Sequence, residues 1–275
     1  MIKKSSNTPI RIWLRDAAEQ LANAMIPSAL LDAEIILAHT LRRSRTWLHA
    51  HSDEMLDMRQ QEIAEARLQL RLERTPIAYI IGHKEFYGRL FKVTPAALIP
   101  RPESETLITL LGKYLTPNHK RLIDVGTGSG CLGVTAKLEQ SHLRVTLADI
   151  SRHALKVAEE NARNLGASVE TIISDLMENV GISYDCIVAN LPYVDTTWTR
   201  SPETEYEPAE ALFADQGGLA LITKLIDQTE SYLTANGLLL LEADLRQHAE
   251  IIGYAGRHGL LHRETDGFAL VFSKN

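Results

Sequence analysis

Apolar residues along the first 75 positions recur three or four apart, the spacing of helices that bury one face. Arg11 to Met25 and Ser28 to Leu41 both show it. In the second stretch Leu30, Leu31, Ile35, Leu37, Ala38 and Leu41 form the predicted apolar stripe. Ser44 stands where an N-cap is expected, before a short segment holding Trp47 and Leu48, because its hydroxyl can accept from an unpaired backbone amide. Asp57 to Arg74 is a longer amphipathic segment with Ile63, Ala66 and Leu70 on its apolar side, and Pro76 ends it. Residues 1–75 therefore read as a helical bundle domain without catalytic residues of its own, either a packing module or a substrate-docking domain.

The pattern then changes. Ile77-Ala78-Tyr79-Ile80-Ile81-Gly82 and Glu85 to Val93 are rich in β-branched and aromatic residues, and Gly82 and Gly88 punctuate them. A β-hairpin linker is expected over residues 76–95, followed by a proline-bounded loop from Pro95 to Pro102. From Arg121 onward short apolar runs alternate with helical stretches. The expected strands are Arg121–Val125, Arg144–Ala148, Val169–Ile173, Tyr184–Ala189 and Gly237–Glu242; the helices include Cys131–Glu139, Ser151–Leu165 and Leu219–Leu233. Such alternation predicts a parallel sheet covered on both faces. Two more extended runs, near Leu260–Arg263 and Phe268–Ser273, flank the turn signal Asp266-Gly267. The fold class is α/β: a Rossmann-like, mostly parallel sheet with an antiparallel C-terminal hairpin over residues 96–275, preceded by the hairpin linker and the helical bundle.

Composition narrows the function without choosing it. Hydrophobic residues make up 45% and charged residues 23%, ordinary for a globular chain with room for a ligand site. No apolar run approaches the roughly 18–20 residues of a membrane helix. Met1-Ile2-Lys3-Lys4-Ser5-Ser6 carries two lysines but no apolar signal core behind them, so a cytoplasmic protein with no membrane partner is expected. Cys131 and Cys186 are the two cysteines and neither sits in a metal-type cluster, so no metal site is expected. The net charge is −6, with 11 Lys and Arg against 10 Asp and Glu in residues 1–75 and 18 against 25 in the rest. A long nucleic-acid footprint draws its affinity from a basic excess, and none is present.

The chemistry begins where Leu122-Ile123-Asp124-Val125 runs into Gly126-Thr127-Gly128-Ser129-Gly130. A glycine loop at the carboxyl end of the first strand lets a ligand approach the backbone closely. Its spacing is G-x-G-x-G, not the G-x-G-x-x-G of dinucleotide binders. Asp149 ends the next strand, 19 residues after Gly130, where a carboxylate can accept from ribose hydroxyls. S-adenosylmethionine has a ribose and no pyrophosphate, and fits this set. After the third strand Asp175 is a candidate acceptor for the adenine amino group, and Leu176 a candidate to pack on the ring.

Asn190-Leu191-Pro192-Tyr193 follows the fourth strand. A planar NH₂ group is a poor nucleophile because its lone pair is delocalised. The Asn190 side-chain oxygen and the Leu191 backbone carbonyl can accept its two hydrogens and direct the lone pair at a sulfonium methyl; Tyr193 can stack on the planar group. Positioning and electrostatics then do most of the work.

With these residues in view the chain resembles the PrmC/HemK family, the peptide chain release factor glutamine methyltransferases, nearly end to end. Leu31 to His39 is similar to that family's N-terminal helical domain. Thr75 to Gly82, Glu85 to Gly88 and Phe91 to Val93 resemble its linker, and Leu98-Ile99-Pro100-Arg101-Pro102-Glu103 its active-site-edge loop. The resemblance implies that Gly126 to Gly130, Asp149, Asp175, Leu176 and Asn190 line the cofactor site. It implies that Asn190, Leu191, Pro192 and Tyr193 hold a substrate glutamine, with Asn190, Pro192 and Tyr193 as catalytic residues. The implied reaction is methylation of the glutamine side-chain nitrogen in the Gly-Gly-Gln motif of class I release factors, leaving S-adenosylhomocysteine. Arg101 and Glu103 are either ligand contacts or structural loop residues. Two departures stand out: Leu191 replaces the first proline of Asn-Pro-Pro-Tyr, and Leu241-Glu242-Ala243-Asp244 stands where the family carries Glu-Ile-Gly. Asn-Leu-Pro-Tyr is also similar to the motif of rRNA adenine dimethyltransferases. Three further readings therefore stay open: an adenine amino methyltransferase of RNA or DNA, a glutamine methyltransferase of a large-subunit ribosomal protein, and a cofactor-binding docking protein without catalysis.

Overall fold

A computed structural model describes residues 8–274. The chain divides into two compact units, the first ending at Gly82 and the second beginning at His83.

The first unit holds α1 (Ile10–Asn23), α2 (Ala29–Leu41), α3 (Arg45–Ala50), α4 (Met58–Leu72) and α5 (Ile77–Ile81). Ser44 caps α3 as expected, accepting from the Trp47 amide at 3.1 Å. Asp57 starts α4 with a reciprocal capping box shared with Gln60. Trp13, Leu21, Ile36, Leu37, Leu48 and Leu68 fill the core.

The expected apolar stripes need correction on two helices. On α2 Leu30 and Leu31 face outward, while Asp32 and Glu34 are buried with Ala33, Ile36, Leu37 and Ala38. On α4 Ala64, Leu68 and Arg71 face inward, and Ile63, Ala66 and Leu70 do not. The physical reason is one buried ion pair. Arg71 Nε donates to Asp32 Oδ2 at 2.7 Å, and the Ser28 hydroxyl donates to the same oxygen at 2.8 Å. Glu34 is matched in turn by Arg45 at 2.6 Å and His49 at 3.0 Å. Charges that satisfy one another can occupy a core face, and hydropathy alone then selects the wrong side.

A second correction falls at Ile77–Gly82. This apolar run is the short helix α5, not a strand. Pro76 supplies the preset φ before its first turn, and Gly82 ends it in the left-handed conformation at φ 77°. The hairpin lies entirely within the next ten residues, as β1 (His83–Phe86) and β2 (Arg89–Lys92) around Tyr87-Gly88, both at positive φ. Its Phe86 and Phe91 belong to the core of the second unit.

That unit continues with α6 (Glu105–Tyr114), β3 (Arg121–Val125), α7 (Cys131–Glu139), β4 (Arg144–Asp149), α8 (Arg152–Leu165), β5 (Glu170–Ile173) and β6 (Tyr184–Ala189). The short turn α9 (Asp215–Gly218), α10 (Ala220–Tyr232), β7 (Leu233–Glu242), α11 (His248–Arg257), β8 (Leu260–Asp266) and β9 (Ala269–Lys274) complete it. The sheet order is β5-β4-β3-β6-β7-β9-β8, parallel from β5 to β7, with β9 antiparallel between β7 and β8. Alternate residues of the central strands enter two different cores. Leu122, Val145, Cys186 and Leu240 meet α6, α7 and α8 on one face; Ile123, Ile187, Leu239 and Phe272 meet α10 and α11 on the other. Burial on both faces explains the nearly continuous apolar runs of β3 and β6.

The chain steps outward from β3 through β4 to β5, then returns to β6 on the other side of β3. A crevice opens at such a reversal, beyond the carboxyl ends of the two central strands. Val125 and Ala189 are register partners, so the segments that begin at Gly126 and Asn190 leave the sheet side by side.

Replacing Arg71 with alanine leaves the Asp32 carboxylate buried without its cation. The expected loss is on the order of 3 kcal/mol in urea unfolding of the first unit; a change of under about 0.5 kcal/mol, the range of ordinary surface substitutions, would show that the pair is not a core constraint.

Candidate functional site

The loop after β3 is suspended from β4. Gly126 and Thr127 amides both donate to the Ala148 carbonyl, at 2.9 and 3.0 Å, and the Gly128 amide donates to Asp149 Oδ2 at 2.9 Å. Gly126, Gly128 and Gly130 all have positive φ. At Gly126 a Cβ would also stand 3.0 Å from Leu191 Cδ2, and at Gly130 3.0 Å from Ala158 Cβ on α8. The positive φ favours glycine at both positions, and at Gly130 the close backbone of α8 requires it as well. Beneath the loop, Asp124 Oδ2 accepts from the Thr127 hydroxyl at 2.6 Å and the Gly133 amide at 2.8 Å. Full burial raises this carboxyl to about 6, although both hydrogen bonds pull it down.

Asp149 closes β4. Its Oδ1 accepts from the Ser151 amide at 2.8 Å, and burial lifts its carboxyl above the ordinary range despite the backbone donors. Leu176 is buried at φ 47°. Asp175 Oδ2 accepts from Lys224 at 2.9 Å, an ammonium that also reaches Glu178 at 2.9 Å.

Asn190 begins the segment after β6, and its Nδ2 donates to the Ser104 hydroxyl at 3.0 Å. Leu191 is buried, with its side chain against Gly126. The Tyr193 hydroxyl donates to Glu242 Oε1 at 3.1 Å; burial, then the Glu242 charge, push that phenol well above its usual value. The Tyr193 carbonyl accepts from Gln247 Nε2 at 2.8 Å. Gly218, at φ 85°, passes so near this carbonyl that a Cβ would lie 1.9 Å from its oxygen.

These segments enclose a cavity of about 360 Å³. Its wall includes Gly126, Thr127, Gly128, Ser129, Asp149, Asp175, Leu176, Asn190, Leu191 and Pro192; Gly130 and Tyr193, expected at the site, are not part of it. Arg101 also lines it, but its guanidinium is committed to Glu207, whose other oxygen accepts from the Ile99 amide at 3.0 Å. Glu103 is exposed and outside the wall. Among the described residues Arg101 is the sole basic side chain on this wall. A free carboxylate lone pair at Asp149, apolar walls from Leu98, Ile150 and Leu176, and no uncommitted cation together fit a nucleoside without phosphate. No group of three or more potential metal ligands occurs among the described residues, and no described helix is long and apolar enough to cross a membrane.

Several supporting residues carry no local sequence signal. Asn161 on α8 accepts from the Lys92 amide at 2.7 Å and donates to the Ser129 carbonyl at 2.8 Å, joining the hairpin to the glycine loop. Ser104, Glu207, Glu242 and Gln247 likewise reach the site from distant segments.

Comparison with known proteins identifies the family and the fold. Residues 13–82 match the family description "PrmC N-terminal domain", and residues 103–214 match "Methyltransferase small domain". The release factor glutamine methyltransferase of Koribacter versatilis is 38% identical over 233 residues, covering 82% of this chain and 83% of that protein. The protein of that name from Salmonella typhimurium is 34% identical, with 92% of each chain covered. The chain belongs to the release factor glutamine methyltransferase family. It is an S-adenosylmethionine-dependent methyltransferase. A solved methyltransferase from Pyrococcus furiosus, 18% identical, shares the fold with a TM-score of 0.55, covering 77% of this chain and 98% of that one.

The raised Asp124 carboxyl gives a pH dependence of stability. The folded protein holds this proton to about pH 6, whereas an unfolded aspartate releases it near 3.8. Between those values the folded state binds more protons, so stability from this group falls as pH rises and levels off above about 6. Asp124→Asn is expected to remove that part of the slope; melting curves with identical slopes for both proteins would contradict it.

Proposed function

We propose that this family member transfers a methyl group to the side-chain nitrogen of the glutamine in the Gly-Gly-Gln motif of class I release factors. The observation that carries the reading is the β3–β6 register. It sets the glycine loop and Asn190 abreast on the wall of one cavity. Bound S-adenosylmethionine would supply an electrophilic methyl on its sulfonium and leave as S-adenosylhomocysteine.

In this reading Gly126 to Gly130 and Asp149 receive the nucleoside, with Asp149 accepting from the ribose, while Asp175 and Leu176 take the adenine. Asn190 Oδ1 and the Leu191 carbonyl accept the two amide hydrogens of the glutamine. Pro192 shapes the opening, and Tyr193, off the cavity wall and anchored through its hydroxyl to Glu242, supports the segment that receives the planar group. Leu191 leaves the chemistry intact because the acceptor at that position is a main-chain carbonyl. The helical unit is assigned to docking of the release factor. The acidic balance of residues 76–275 argues against an adenine in a long RNA as the acceptor.

Purified protein with labelled S-adenosylmethionine is expected to label the Gly-Gly-Gln glutamine of a release factor and not rRNA in a parallel reaction. Label on RNA alone, or on neither, would sink the reading. Asn190→Ala is expected to lower transfer by about 10²- to 10³-fold, the usual cost of one positioned polar group, while cofactor affinity changes little. Undiminished transfer at saturating cofactor would contradict the role.

A further inference from the structure

We propose that Ser104 and Glu242 are positioning residues that fix which way round the Asn190 amide stands. This rests on the reading of Asn190 as an acceptor for the substrate amide.

The two ends of an asparagine amide have nearly the same shape, and only hydrogen-bond partners distinguish them. The choice matters here. The oxygen can accept from an incoming NH₂ group; the nitrogen, turned to the same place, would set donor against donor. Asn190 Nδ2 donates to Ser104 Oγ at 3.0 Å, which turns Oδ1 away from the serine and leaves it for the cavity.

A serine does not make that choice alone. Its hydroxyl can accept from Nδ2 or, with the amide reversed, donate to Oδ1. Glu242 removes the second option. It is 1% exposed, and its Oε2 has no hydrogen-bond partner in range, while Oε1 is taken by the Tyr193 hydroxyl. In its ionised form this carboxylate only accepts. Ser104 and Asn190 stand near enough to pull its carboxyl down, without a formed hydrogen bond, against the upward push of burial and of the nearby Glu103 charge. With the serine proton drawn toward Glu242, the serine lone pairs face Asn190, and the amide nitrogen is the end that fits. The proposed order is Asn190 amide to Ser104 hydroxyl to Glu242 carboxylate; the first step is a formed hydrogen bond and the second an electrostatic bias from a buried, unpartnered oxygen. The fold supplies the alignment: Ala189 and Leu241 are register partners on β6 and β7, so Asn190 and Glu242 leave the sheet abreast, and Ser104 arrives on the turn before α6.

Glu242→Gln keeps the size of the side chain but adds an NH₂ group that can donate to Ser104. The serine is then free to donate to Asn190 Oδ1 and reverse the amide. The expected result is a drop in kcat for glutamine methylation of about 10- to 100-fold, the cost of a misplaced reacting group. Melting temperature and cofactor Kd should stay near wild type. Ser104→Ala should lower kcat similarly, and Ser104→Thr, which retains the hydroxyl, should recover most of it. A merely structural role would move melting temperature and cofactor affinity along with kcat and would not separate threonine from alanine. Wild-type kcat in both Glu242→Gln and Ser104→Ala overturns the inference. So does a kcat loss that only tracks unfolding. Should the variants fail to fold, the Asn190 side-chain amide in the ¹⁵N spectrum of the wild type decides. One slowly exchanging proton supports the bond to Ser104, and two rapidly exchanging protons overturn it. A wild-type protein that leaves release-factor glutamine unlabelled instead defeats the earlier reading, a result separate from any comparison among variants.

Discussion

Parallel pairing of β3 with β6 decides where the chemistry of the second unit can occur. The backbone bonds that match Val125 with Ala189 leave no freedom in where Gly126 and Asn190 emerge. A shift of one residue would send each side chain of β6 to the opposite face, exchanging Cys186 and Val188 with Ile187 and Ala189 between two packed cores. Register is therefore enforced by burial on both faces, and the site inherits its geometry from the hydrophobic effect. Placement of the same kind extends to β7, where pairing of Ala189 with Leu241 brings Glu242 beside the acceptor segment.

Buried acids do much of the remaining work. Asp32, Asp124, Glu207 and Glu242 are each nearly inaccessible, and each ties together segments distant in sequence or holds a loop over a strand. Asp32 joins α2 to α4 through Arg71. Asp124 holds Thr127 and Gly133, and so sets the curvature of the glycine loop. Glu207 fastens the Ile99–Arg101 loop from more than a hundred residues away. A buried carboxylate is costly unless its lone pairs are met, so it favours the backbone arrangement that meets them. Asp124 Oδ1 and Glu242 Oε2 are the exceptions among these four, and both lie next to the cavity-forming segments.

The parts of this structure written in contiguous residues could be read from the sequence. β3, α7 and β6 begin and end where the apolar runs and glycines place them. The glycine loop, Asp149 and the Asn190 segment reach one cavity because strand order follows general rules of α/β sheets. The inner faces of α2 and α4 were not legible, since Asp32 and Arg71 look like solvent-facing residues until they are seen to pair. Ile77–Ile81 has strand-like composition, and only its position behind Pro76 and before Gly82 makes it a helix. α6 and α11 carry no clear helical signal; Thr106, Ile108 and Thr109 lend the first a strand-like composition, and Gly253 and Gly256 interrupt the second. Ser104 was invisible for a different reason. Its bond to Asn190 spans 86 residues, and a lone serine before a helix otherwise reads as a cap.

The Leu191 Cδ2 methyl lies 3.0 Å from the point where a side chain at position 126 would begin, so the two halves of the site approach closely there. The two positions are neighbours in space. A larger residue at 126 meets the leucine, and a change at 191 alters the floor on which the loop rests. The departure from proline at 191 is therefore not a private matter of the acceptor segment. A substitution at 191 bears on the cofactor loop as well as on the acceptor segment.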